Sequence, residues 1–484
     1  MENIYFGIPV ILICSIGYFI SWRCFINKKT GLAIFLLIFC GLLLRLYVGW
    51  DLFLHSWDER YHALVAKNLI LHPLVPTLYE NPLLPFNYQA WAGNHIWLHK
   101  QPLPLWVIAL SLRIFGINEI ALRIPSILLS TAGIFIIYEI ARILYSVRVG
   151  YIAAFLFSIH GLIMELAGGR VPTDHYDIFF LFTISLAVLF SLKFAISKKV
   201  IFNVLAGISI GLAILTKWLP ALIVLPIWLL FLLDYKNFSF KEILQHTAIL
   251  LLVTLMVCLP WQIYIHLKFP LEAAYEDSLN LKHITESVEG NTGNFFYHFN
   301  LLRINYGELV YIPILWFCWK CMNSRRNFRE YAILIWFIVP YLFFSIAKTK
   351  MQAYTLFAAP SIFIITALFC SYLSINLNRF RYKIVPVLLL IGLLGLPVRY
   401  SIERIKPFNK IEREPEWTKE IKKLKPLSSE VQGKLVIFNT LHPIETMFYL
   451  NCTAYNYLPD QKTITEIERS GYKIIILSHP GENP

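Results

Sequence analysis

Residues 32–61 read LAIFLLIFCGLLLRLYVGWDLFLHSWDERY. From Leu32 to Trp50 the run is apolar and long enough to cross roughly 30 Å of hydrocarbon, which takes about 20 helical residues. At Asp51 its character changes. A polar insert of charged and aromatic residues begins there and continues to Lys100. Apolar runs of similar length recur along the 484-residue chain, which is 57% hydrophobic and only 15% charged. Soluble domains average about 25% charged residues. The expectation is an all-α polytopic membrane protein of about twelve spans. A β-barrel would instead show short alternating segments.

Working outward, apolar segments cover about Ile4–Trp22, Leu32–Trp50, Ile120–Tyr145, Gly150–Leu166 and Ile178–Ala195. Two more lie within about Ile201–Leu233, broken near Thr216–Pro220. The remainder run from about Ile243 to His266, up to Lys320, from Tyr331 to Ile346, from Ala353 to Leu373, and up to Tyr400. Ile4–Trp22 reads as a first span rather than a cleavable signal, because no small-residue cleavage site follows it. Pro102–Gly116 is apolar but short. If it lies at the interface, every short basic loop falls on one side: Arg23/Lys28/Lys29, Arg142/Arg148, Lys193/Lys198/Lys199, Lys236/Lys241, Lys320/Arg325/Arg326/Arg329 and Arg379/Arg381/Lys383. Cytoplasmic loops carry that bias. It also accounts for the net charge of +13 without nucleic acid. Both termini, the loops 51–118 and 267–299, and Lys348/Lys350 are then external.

Residues 401–484 are polar. The order strand (Lys434–Asn439), helix (Pro443–Asn451), amphipathic helix (Thr463–Arg469) and strand (Lys473–Leu477) suggests a small external α/β domain. Residues 1–400 form the membrane domain. The tail carries no nucleophile motif or glycine-rich phosphate loop and reads as accessory. The eight cysteines lie mostly in apolar runs and read as packing.

Chemistry is expected where ionisable residues cluster at outer segment ends. Asp58 can be a general base near the membrane surface; alternatively Ser56, Asp58 and Glu59 cap the helix that follows. Lys100 precedes Pro102, which can start a helix whose N-terminus favours an anion; alternatively it is an interfacial lysine with its head in water. Asp174 sits beside Arg170, His175 and Asp177, and one of these carboxylates can cap the next span. Lys348 and Lys350 break the cytoplasmic charge bias, so a phosphate partner or lipid headgroups are expected there. Trp57, Tyr61, Tyr88, Trp91 and Trp97 can stack on sugars or form an aromatic belt. Glu59, Tyr61, His99 and Arg170 complete the candidate substrate contacts. His99, His175 and His283 lack helical ligand spacing, so no metal ligand is assigned.

Together Trp57–Tyr61, His99–Leu103, Leu122–Ser126, Pro172–Asp174, Leu215–Lys217, Pro260–Trp261, Thr285–Gly290 and Ala347–Lys350 resemble, in order, the GT-C superfamily of glycosyltransferases. The similarity is greatest to the protein O-mannosyltransferase-like branch, which includes the lipid A aminoarabinose transferase. The resemblance implies a polyprenyl-phosphate-linked sugar as donor and a lipid A, lipopolysaccharide, glycan or protein acceptor. It also implies inversion at the anomeric carbon and a periplasmic site on a bacterial inner membrane. It assigns the catalytic aspartate to Asp58, the second acidic residue to Asp174 and the donor-phosphate lysine to Lys100. A further basic contact falls on Lys282 or His283. Some members have an acidic residue where His99 stands, which leaves a divalent cation open. The alternative from another class is a membrane transporter, but transporters place ionisable groups near the midplane.

Overall fold

The computed structural model describes residues 3–236, 238–323, 327–431 and 433–477. Helices α1 (Asn3–Ile26) and α2 (Thr30–Val48) lie side by side and lead into the insert. The insert carries α3 (Asp58–Leu69), an irregular stretch with one antiparallel bridge between Thr77 and Ile96, and α4 (Pro102–Phe115). The membrane bundle continues with α5 (Glu119–Leu144), α6 (Val147–Ser158), α7 (Gly161–Ala167), α8 (Asp174–Ser197), α9 (Val200–Lys217), α10 (Val224–Tyr235) and α11 (Phe240–Lys268). Then come α12 (Pro270–Thr285), α13 (Tyr297–Tyr306), α14 (Tyr311–Asn323), α15 (Phe328–Ile346), α16 (Ala359–Ile375) and α17 (Ile384–Ile405).

Among the described residues nine helices are long and apolar enough to cross a bilayer, or ten with the bent pair α6–α7 as one span. The expected count was about twelve. The shortfall lies in Leu219–Tyr235, a shorter apolar segment starting with a turn of 3-10 helix, and in α14, which has 13 residues. At 14 residues α4 is also too short to cross, as its sequence suggested.

The break between α6 and α7 bends the chain by 52°. A break frees carbonyls that lipid cannot satisfy. Arg45 of α2, fully buried, supplies the donors: Nη1 bonds Ser158 O at 3.0 Å, Nη2 bonds Phe157 O at 3.3 Å and Nε bonds Ser130 Oγ at 3.0 Å. This intramembrane charge is therefore structural.

The basic loops meet at one end of the bundle. Arg329 donates its backbone N–H to Asp234 and Nη1 to Leu144 O, and Lys198 faces Glu242 at 3.6 Å. Arg325 and Arg326 lie outside the described residues. The insert, the 171–174 turn and the 268–297 loop meet at the other end. The N-terminus is there too, with Asn3 Nδ2 donating to Lys406 O at 2.8 Å.

The tail adds α18 (Glu416–Lys423), α19 (Lys425–Glu430), β1 (Leu435–Phe438), α20 (Pro443–Tyr449), β2 (Thr453–Ala454), α21 (Gln461–Arg469) and β3 (Lys473–Ile476). The sheet is parallel in the order β2-β1-β3. Gly471 follows α21 at φ +84, the left-handed stop that glycine adopts without strain. The short β2 escaped the sequence reading. The tail does not stand apart from the insert. Val436, Ile437, Phe438 and Phe448 share one apolar core with Leu64, Leu69, Leu78 and Trp97. Lys67 donates to Leu450 O at 2.7 Å, and Arg60 pairs with Glu445 at 3.2 Å.

Candidate active site

Helix α3 begins without a side-chain cap. Asp58 is therefore free of the capping role its position allowed. Its Oδ2 accepts a 2.7 Å hydrogen bond from the backbone N–H of Thr173, across the gap to the start of α8. Thr173 and Asp174 hold left-handed φ values of 67 and 21. Non-glycine residues rarely adopt such backbone, and it clusters at functional sites. The strained turn points its N–H at the carboxylate.

Burial would raise the Asp58 pKa. The Lys100 ammonium, His62, the Thr173 N–H and His99 outweigh it and hold the carboxyl at about 2. Lys100 is half-buried and is the strongest positive influence on Asp58. It lies two residues before Pro102, which opens α4 with Gln101 as its N-cap. An anion beside Lys100 also meets the N-terminus of that helix.

Glu59, adjacent to Asp58, is fully buried. Arg123 of α5 grips it with two bonds, Nε to Oε1 at 2.7 Å and Nη2 to Oε2 at 2.9 Å. Burial raises its pKa, but Arg123, His55 and His175 hold the carboxyl well below the usual carboxylate range. The remaining Arg123 donors bond Gly49 O, Asp51 O and Phe53 O, which fastens the start of the insert to the bundle. Glu59, expected among the substrate contacts, is fully buried in this pair and presents no surface.

Asp174 is also fully buried. Its Oδ1 lies 2.9 Å from His62 Nδ1, one turn along α3 from Asp58, and accepts the His175 N–H. Asp58 and Asp174 thus meet at one junction of α3 and α8, Asp58 partly exposed and Asp174 fully buried. Arg170 is held by Asp51 at 2.8 Å. His99 pairs with Glu276 at 3.3 Å and stacks on Trp91 at 4.6 Å. Burial, and then Lys100, lower its pKa. Tyr61 is buried against Trp91 at 4.8 Å.

The loop residues divide. The 346–352 segment joins the 283–291 segment through Lys348 N to Ile284 O, Thr349 N to His283 O and Lys350 N to Asn291 O. Trp91 Nε1 donates to Glu289, tying this pair to the insert. Lys282 and Lys348 are exposed, and His283 Nδ1 lies 2.8 Å from Leu279 O. Lys350 has another task. It is buried, and its ammonium donates to Phe344 O, Ser345 O and Ala347 O at 2.6–2.7 Å, closing the C-terminus of α15. Expected to meet donor phosphate, Lys350 instead has all three of its protons on these carbonyls. His175 is held by Ser126 and Glu59. Among the described residues no three His, Cys, Asp or Glu side chains could hold a metal ion.

Some residues at this junction were given no role by sequence reading. Arg123 and Lys217 lay in quoted motifs, while His62 had no local signal. Lys217, at the break after α9, pairs with Asp177 at 2.5 Å and lies 5.0 Å from the Tyr354 ring centroid.

The solved structure of ArnT from Cupriavidus metallidurans bound to undecaprenyl phosphate superposes with a TM-score of 0.63, covering 90% of this chain and 88% of that one at 17% identity. The chain has the GT-C fold. An archaeal oligosaccharyltransferase, AglB from Archaeoglobus fulgidus in complex with an inhibitory peptide and a dolichol-phosphate, shares the GT-C fold at a TM-score of 0.56 and 15% identity, covering 87% of this chain and 64% of that one. Residues 99–264 match the family model for dolichyl-phosphate-mannose-protein mannosyltransferase. An undecaprenyl phosphate-alpha-4-amino-4-deoxy-L-arabinose arabinosyl transferase of Pseudomonas aeruginosa is 25% identical over 299 residues, covering 54% of this chain and 49% of the relative. An uncharacterized protein of Aquifex aeolicus is 30% identical over 332 residues, 66% of this chain and 60% of its own length. The chain thus spans about half to three-fifths of these curated relatives. The similarity to the lipid A aminoarabinose transferase read from the motifs holds.

Proposed function

We propose that this protein transfers a sugar from a polyprenyl phosphate to an acceptor at the outer face of a bacterial inner membrane. The observation that carries the reading is the meeting of Asp58 and Lys100 at the end of the bundle opposite the basic loops. That end is external if the basic loops are cytoplasmic. Similarity to the arabinosyl transferase and to ArnT bound to undecaprenyl phosphate supports the donor class.

Asp58 takes the proton of the acceptor hydroxyl. The acceptor oxygen then attacks the anomeric carbon, and the bond from that carbon to the phosphate oxygen breaks. The phosphate keeps the electron pair. Lys100 and the N-terminus of α4 stabilise its charge. Inversion is the outcome of this single displacement. Glu59–Arg123 and Asp174–His62 position the base without touching substrate. The exposed Lys282 and Lys348, with His283, are further donor contacts. The acceptor belongs to lipopolysaccharide, another envelope glycan or a protein.

Asp58→Asn is expected to lower transfer by about 10²–10⁴-fold, the scale of general-base catalysis, with folding intact. The assay is in vitro transfer from a radiolabelled lipid-phosphate sugar. Unchanged turnover removes Asp58 from the mechanism.

A further inference from the structure

Tyr61 also lines a cavity of about 360 Å³ between the insert and the tail. Its walls include Arg60, Tyr61, Tyr79 and Phe86 from the insert and Tyr455 and Tyr457 from the tail. Small-molecule sites span roughly 300–1,000 Å³ and combine aromatic walls with a few polar groups.

The aromatic wall is pre-formed. Tyr79 and Tyr455 stack at 5.3 Å and 14°, and Tyr457 lies 5.9 Å from Tyr455. The Tyr79 hydroxyl donates to Ala454 O, and that of Tyr455 accepts from the Leu83 and Leu84 N–H groups. These bonds join insert to tail and hold the rings in place.

Among the described residues Arg60 is the one charged residue of the lining, and its charge is offset by Glu445 at 3.2 Å. Its Nε is buried and has no hydrogen-bond partner among the described residues. An anion would need uncompensated positive charge. A sugar ring, with a C–H face for the tyrosines and a hydroxyl rim for Arg60 and Asn456, fits this lining. The cavity also adjoins the candidate site. Arg60 is two residues beyond Asp58, and Tyr61 packs on Trp91, which stacks on His99 beside Lys100.

We propose that the cavity between the insert and the tail binds the neutral glycan part of the acceptor. The word acceptor rests on the glycosyltransferase reading, whereas the binding itself needs no turnover.

The test is saturation-transfer NMR on the full chain in nanodiscs. The probes are neutral disaccharides built from glucose, galactose, mannose and N-acetylglucosamine, with inorganic phosphate as competitor. Ring protons of at least one disaccharide are expected to receive saturation. Tyr457→Ala should cut the signal about fivefold, the scale of one aromatic contact. Ala92→Trp, which fills the cavity from an exposed position, should abolish it, and Lys100→Ala should leave it intact. Thermal melts confirm that the variants fold. Absence of transfer across the panel, insensitivity to both cavity variants, or displacement by phosphate overturns the proposal. Sugar binding here in a wild-type protein that turns over no lipid-phosphate sugar overturns the catalytic reading and still bears out the ligand class.

Discussion

At Asp58, burial and charge pull in opposite directions, and charge wins with a pKa of about 2. Such a carboxylate is ionised at neutral pH but is a weak base. On the proposed mechanism a phosphate beside Lys100 would cancel the largest of the lowering charges and make Asp58 more basic. Lys100→Ala removes the same charge, which raises the Asp58 pKa. The acid limb of kcat/KM, which reports the free enzyme, is then expected to move to higher pH, with activity lost sooner on acidification. A pH–rate profile of variant and wild type checks this; an unmoved limb assigns the titration to another group. Arg123 offers a stability test. It and Glu59 are fully buried, and removing one partner of such a pair costs about 3–5 kcal/mol. Arg123→Ala is expected to lose that much in denaturant unfolding, and the double variant with Glu59→Gln less than the sum of the two.

Among the elements, the turn between α7 and α8 matters most for the site. Gly169 has φ +73, and a Cβ there would come within 2.0 Å of Glu59 Oε1. Both the backbone and the space require glycine. Gly169→Ala must push Glu59, and with it the N-terminus of α3 that carries Asp58. Misplacement on the order of 1 Å can cost about 100-fold, so kcat is expected to fall by up to that factor with a lowered Tm. A variant with normal kcat would show that Glu59 does not position the base. Lys350 shows the same coupling from the other side. Its ammonium closes α15 while its backbone joins the 283–291 segment, so its place in a quoted motif reflects loop architecture.

For the whole molecule, the tail and the insert are one folding unit in energetic terms. Phe438, Phe448 and Leu450 are buried in a common core with Leu64, Leu69 and Trp97. Deleting residues 407–484 uncovers that face. The insert is then expected to become susceptible to protease while the bundle stays resistant, as read by limited proteolysis in detergent. An insert that stayed protected would show that the tail does not stabilise it.

Much of this was readable one segment at a time. Hydropathy and the one-sided basic loops placed the bundle and its two ends, because water and lipid act on each residue where it stands. Asp58, Lys100 and the helix start at Pro102 were legible for the same reason, as charges at the edge of apolar runs. Whether Asp58, Glu59 or Asp174 meets a substrate was not legible. That depends on Arg123, His62 and Thr173, which lie near in space and far in sequence or offer no distinctive signal. The same holds for Lys350, turned inward by three carbonyls, and for the cavity shared by Tyr61 and Tyr455. Accessibility is a property of packed neighbours, and those neighbours come from distant parts of the chain.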